Sequence, residues 1–225
     1  MQKKGKVVLL IVIVLLISLN LLACDSAIKF ENMAVGNYVE LGNYEQDNNF
    51  ENGKEPIEWL VVSIDENKAL LTTKYCIDAI PYNVEAISCT WENCTLRQWL
   101  NDEFLSTAFS NREQKIIETS TLSNPDNVYK TYGGNDTKDK VFLFSIQEIG
   151  RYNDTLDFVV QATNYAIDKG AHAPETDTSG TMWRLRSPGH TQDRSACVRY
   201  NGVVDSWGYP VNWAMAIRPA IWIKF

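Results

Sequence analysis

The sequence predicts a single α+β domain, and three observations carry that expectation. Apolar and polar residues alternate in runs at both ends of the chain, apolar residues recur at helical spacing in its middle, and two Ser-x-x-Glu capping boxes mark helix starts there. About 200 of the 225 residues follow an apolar leader, enough for one substantial core. Neither an internal repeat nor a low-complexity linker divides them.

Residues 37–44 (NYVELGNY) alternate and read as a strand. Residues 57–64 (IEWLVVSI) and 69–73 (ALLTT) flank the polar turn Asp65-Glu66-Asn67-Lys68, the pattern of a hairpin. Residues 95–109 place Leu96, Trp99, Leu100, Phe104 and Ala108 on one helical face behind a Thr cap. Ser110 with Glu113 opens a second helix that turns Ile116 and Ile117 inward. Residues 121–140 are polar and turn-rich, so a long exposed loop is expected. Residues 141–144 form a short strand, Ser145 with Glu148 starts a brief helix to Tyr152, and residues 161–169 are helical in pattern with Gly170 as the stop. The chain then returns to strands at 183–186, 196–200, 203–207 and 217–223, with Asn201-Gly202 marking a tight turn. Strands at both ends thus enclose a helical middle with long surface loops.

The first 23 residues have the three parts of a secretory signal: Lys3, Lys4 and Lys6, an apolar run from Val7 to Leu22, and a small-residue exit. Leu21-Leu22-Ala23-Cys24 resembles the lipobox of bacterial lipoproteins, which implies a diacylglycerol on Cys24 and cleavage before it. An uncleaved N-terminal anchor is the second reading, although the run is short for a spanning helix. Both readings put the rest of the chain outside the cytoplasmic membrane. Residues 24–35 form a short tether, reaching ~40 Å at most at roughly 3.3–3.6 Å per residue, before the domain of residues 36–225.

Cleavage takes three lysines and no acid, so 18 basic residues would face 28 acidic ones. That balance, without clustered Lys or Arg, excludes nucleic acid as a partner and leaves the membrane contact to the acyl chain. Cys76, Cys89, Cys94 and Cys197 would lie where disulfides persist, and Cys89–Cys94 is one of several pairings left open. No C-x₂-C pair exists and His172 and His190 are isolated, so no zinc site is expected. Sequons at Asn93, Asn135 and Asn153 are read as chance.

Three ordered segments carry a family resemblance: residues 90–101 (TWENCTLRQWLN), 183–189 (WRLRSPG) and 217–223 (IRPAIWI). They resemble the signature blocks of a bacterial family of unknown function found in surface proteins and lipoproteins of Gram-positive bacteria. With Val39-Glu40-Leu41-Gly42 and Glu58-Trp59 the likeness runs over residues 35–225. The family is similar to C-type lectin-like domains and to the formylglycine-generating (sulfatase-modifying) form of that fold, which implies a C-type lectin-like architecture.

Two groups of residues are candidates for a site. Arg184 and Arg186 share one face of a strand, where they would either receive an anion or carboxylate or bond loop carbonyls and acids. Tyr200, Trp207, Tyr209 and Trp213 crowd a polar, glycine-containing stretch beside Asn201, Asp205 and Asn212. Rings there would stack on a sugar while amides and carboxylates bind its hydroxyls, or else complete the core. Asn135, Asp136 and Asp139 offer oxygens, but neither the acid-Pro-Asn nor the Trp-Asn-Asp lectin motif is present, so no calcium is expected. The formylglycine-generating resemblance implies a copper-holding cysteine pair, and Cys197 stands alone in its region. The sequence therefore points to a lipid-anchored, noncatalytic module for a saccharide or an envelope protein, needing no cofactor. An oxidoreductase of the formylglycine-generating class and a protein-only envelope scaffold are the alternatives.

Overall fold

The computed structural model describes residues 28, 30, 33–172 and 180–225, so Cys24, the leader and most of the tether lie outside the described residues. Among the described residues twelve strands and five helical segments, the first a 3₁₀ turn at Trp91–Asn93, make a mixed α+β fold richer in strand than in helix. The first sheet contains β1 (Tyr38–Tyr44), β2 (Glu55–Asp65), β3 (Lys68–Thr73), β7 (Val141–Phe142) and β12 (Ala220–Lys224), in the order β1-β2-β3-β12-β7. The second contains β4 (Asp78–Pro81), β8 (Trp183–Pro188), β9 (Arg194–Val198), β10 (Val204–Pro210) and β11 (Ala214–Ile217), in the order β10-β9-β8-β11-β4. A third ladder joins β5 (Ser120–Leu122) to β6 (Thr137–Asp139).

The expected hairpin is β2–β3, closed by pairing of Asp65 with Lys68 across Glu66, which takes φ +52°. On β2 the buried Trp59 donates its indole N–H to the Leu41 carbonyl of β1 at 2.8 Å. Burying a large side chain contributes roughly 1.5–3 kcal/mol, and here its polar atom is also satisfied.

The predicted first helix, α1, spans residues 95–108 and contains a π-type turn at Leu100–Phe104. Leu96, Leu100, Phe104 and Ala108 are all buried, as their spacing requires. Asn101 lies in the widened turn. Its amide donates to Arg97 O and Val141 O and accepts from Lys140 N and Val141 N, fastening the helix to β7. Both capping boxes form: Ser110–Glu113 leads α2 (Glu113–Ile116), and Ser145–Glu148 leads α3 (Ile146–Arg151). Helix α4 (Asn164–Asp168) is shorter than expected because Thr163 caps it, while Cys76 N donates to Gln161 O and Thr163 N to Cys76 O, which sets Ala162 opposite Cys76 in extended form.

Three expectations need correction. Residues 121–140 are not one exposed loop, because β5 and β6 pair and Asn124, Asn127, Thr137 and Asp139 are buried. Their polar side chains are internal partners: Asp139 accepts from Trp91 Nε1 at 2.9 Å, Arg97 Nε at 2.6 Å and Thr137 Oγ1 at 2.8 Å. The strand expected at 217–223 is two strands in different sheets. Pro219, which has no N–H for a ladder, marks the crossing, and its carbonyl accepts from Thr73 N and Thr72 Oγ1. Finally, Cys76, Cys89, Cys94 and Cys197 are free and buried, so the disulfide considered for Cys89–Cys94 is not formed. They pack as small apolar side chains.

Candidate functional site

All six residues of β8 are buried, so both of its faces are covered. Trp183 and Leu185 enter the hydrophobic core, and the two arginines occupy the opposite face. Arg184 donates to Ser195 Oγ at 2.6 Å and to the carbonyls of Trp213 at 2.7 Å and Pro210 at 3.2 Å. No carboxylate pairs with it among the described residues, and burial lowers its pKa to about 10. Arg186 donates to Asn124 Oδ1, Leu143 O and Ser123 O and pairs with Glu148. The terminal guanidinium nitrogens of both arginines are bonded by the chain itself, which is the supporting arrangement, while the buried Arg184 Nε has no partner among the described residues.

What Arg184 supports is the β10–β11 turn, which carries the exposed Trp213. Around that turn the chain forms a cleft of about 470 Å³ lined by His172, Met182, Tyr200, Tyr209, Trp213, Ala214 and Met215. Tyr200 comes from the 199–203 turn and is 43 % exposed, Tyr209 comes from β10, and Trp213 is 55 % exposed. The Tyr209 and Trp213 rings lie 6.1 Å apart at 44°. Asn201-Gly202 makes the expected turn, with Gly202 at φ +82° and its N–H on Arg199 O. Three predicted aromatic residues thus line one volume, of the size small-ligand sites have.

The remaining predicted residues are placed differently. Asp205 is buried and accepts from the N–H groups of Trp207 and Gly208, while Arg199 pairs with it at 2.6 Å. Its carboxylate holds the irregular middle of β10 and is not offered to a ligand. Asn201 accepts from Val203 N within its own turn, and Asn212 is exposed beside Trp213. Trp207 points to a different neighbourhood, where it stacks on His190 at 3.6 Å and 12°.

Sequence reasoning missed His172, Met182 and Met215 as cleft residues. Single residues from separate segments leave no spacing signal, and Met is a common adaptable filler.

Among the described residues, Glu45, Asp47 and Glu55 bring carboxylate oxygens within 4.8 Å of one another at the β1–β2 turn. Backbone N–H groups of Asn49 and Gln46 and the Asn52 amide already bond these carboxylates. Asn135 bonds Glu92, and Asp139 is enclosed by Trp91 and Arg97. Burial pushes the Cys197 thiol up to about 12, which keeps it protonated.

An α+β domain with an aromatic cleft, backed by a buried arginine, is the class that fold and site define. Residues 66–225 match the model of a family described as Domain of unknown function (DUF6273), and the chain belongs to that family. β1 and the whole of β2 precede the matched part, yet they share the first sheet with it. No curated protein and no solved structure matches the chain. Among the described residues, no helix is long and apolar enough to cross a membrane.

Proposed function

We propose that the protein is a noncatalytic saccharide-binding module, held at the outer face of the bacterial cytoplasmic membrane by lipid on Cys24. The observation that carries the binding half is the convergence of Tyr200, Tyr209 and Trp213 on one cleft of about 470 Å³. Ring faces and the Met182 and Met215 side chains supply apolar area for the C–H faces of a pyranose. Tyrosine hydroxyls, the indole N–H and the His172 imidazole supply hydrogen bonds at the rim. The lipobox-like Leu21-Leu22-Ala23-Cys24 supports the address.

The proposal includes a C-type lectin-like reading of the fold. Supporting it, β1 and β12 stand in one sheet and the 199–213 loops present the cleft. The oxidoreductase alternative requires Cys197 as a thiolate ligand, and a buried thiol raised to about 12 argues against it. A glycan array tests the proposal: the wild type should retain a defined set of glycans that Trp213→Ala loses. A wild type that retains none refutes the saccharide reading.

A further inference from the structure

Resting on that reading, we infer that the ligand is an extended saccharide chain, because the structure assigns a second stacking platform to Trp207, His190 and Tyr129. Trp207 is 50 % exposed, a large apolar area to leave in water, yet it is held rigidly. His190 covers one indole face, stacked at 3.6 Å, and its Nδ1 and backbone N–H both lie within bonding distance of Trp207 O, at 3.2 and 2.9 Å. Tyr129 stands perpendicular to both rings, with centroids 5.7 Å from Trp207 and 6.3 Å from His190. Those nearly equal distances put Tyr129 beside the stack and not over it. The second face of Trp207 therefore opens to solvent, with Tyr129 as a side wall.

The scaffold behind these rings is over-determined. Asn127 anchors the turn carrying Tyr129 by donating to Pro188 O and Gly189 O, while Tyr129 N and Thr131 N donate to Asn127 Oδ1. Thr131 Oγ1 closes the arrangement on His190 O at 2.8 Å. Close approach of β10 is possible only because position 189 is glycine: a Cβ there would lie 2.7 Å from Trp207 O. A preorganised, water-exposed ring face loses little freedom when a ligand stacks on it.

Trp207 and Tyr209 are two residues apart on β10, so their Cα atoms are separated by no more than about 7 Å. The platform and the cleft are therefore rooted at neighbouring positions of one edge strand. A chain of pyranose units can stack on Trp207 while another unit occupies the cleft, which gives affinity that grows with chain length.

Titration of the full chain in detergent micelles with β-1,4-linked oligomers of N-acetylglucosamine and of glucose, two to eight units long, tests this. An oligoproline peptide provides the comparison, because aromatic grooves also take polyproline helices. The wild type should bind the longest oligomers about tenfold or more tighter than the shortest. Trp207→Ala should flatten that dependence, Trp207→Phe should keep part of it, and Trp213→Ala should weaken binding at every length. If Trp207→Ala keeps the wild-type length dependence, the second platform is refuted and the cleft reading stands. Binding of oligoproline in place of every oligomer, or of none of the probes, refutes both.

Discussion

Arg184 and Trp213 are joined across 29 positions of sequence by a 2.7 Å hydrogen bond from the Arg184 guanidinium to the Trp213 carbonyl. The same side chain reaches Pro210 O and Ser195 Oγ, so one buried cation positions the turn that carries the exposed Trp213 ring of the cleft. Lysine has no planar fork and cannot span these acceptors. Arg184→Lys is expected to lower stability by about 1–3 kcal/mol, since buried carbonyls lose their donors. Urea denaturation measures the loss, and an unchanged midpoint would show that Arg184 does not hold the turn.

The Asp139 carboxylate joins Trp91 of the 90–101 segment to Arg97 of α1. Asp139→Ala should leave the indole N–H and the Arg97 Nε without their shared acceptor, at a cost of about 3 kcal/mol or more. Thermal unfolding checks this, and a shift of under a degree would contradict it.

Burial raises the Cys76, Cys94 and Cys197 thiols to about 12 and Cys89 to about 11, from an ordinary value of 9. The folded state therefore holds these protons more tightly than the unfolded state. The associated stability is fully present below pH 9 and declines as pH rises from 9 towards 12. Denaturation midpoints should fall across that window. In neutral buffer an alkylating reagent should label all four positions only after unfolding. Rapid labelling of the folded protein, or a mapped disulfide among them, would contradict the structure.

Much of the fold was legible in the sequence because local rules decide it. The Ser110–Glu113 and Ser145–Glu148 boxes, the helical face of α1 and the 65–68 turn each depend on residues close in the chain. The missed features depend on distant partners. Asp139 and Asn124 read as solvated loop residues because polarity alone does not distinguish water from an arginine as the partner. Residues 78–81 were not recognised as a strand, since their pairing with β11 lies more than 130 positions away. Likewise, Tyr200, Tyr209 and Trp213 could be picked out as a cluster, but their separation from Trp207 depends on β10 geometry and on the His190 stack.

The proposed membrane attachment through Cys24 makes a simple prediction about fractionation. Cys24→Ser should move the protein from the membrane fraction to the soluble extracellular fraction. Retention of the variant in membranes would indicate an uncleaved apolar anchor at residues 7–22 instead.

The central claim is that a saccharide occupies the cleft between Tyr200, Tyr209 and Trp213, and intermolecular nuclear Overhauser effects measure this directly. With a glycan selected on the array, pyranose C–H protons should show contacts to the ring protons of Tyr209 and Trp213. Contacts confined to other residues, or no contacts with any retained glycan, would contradict the account.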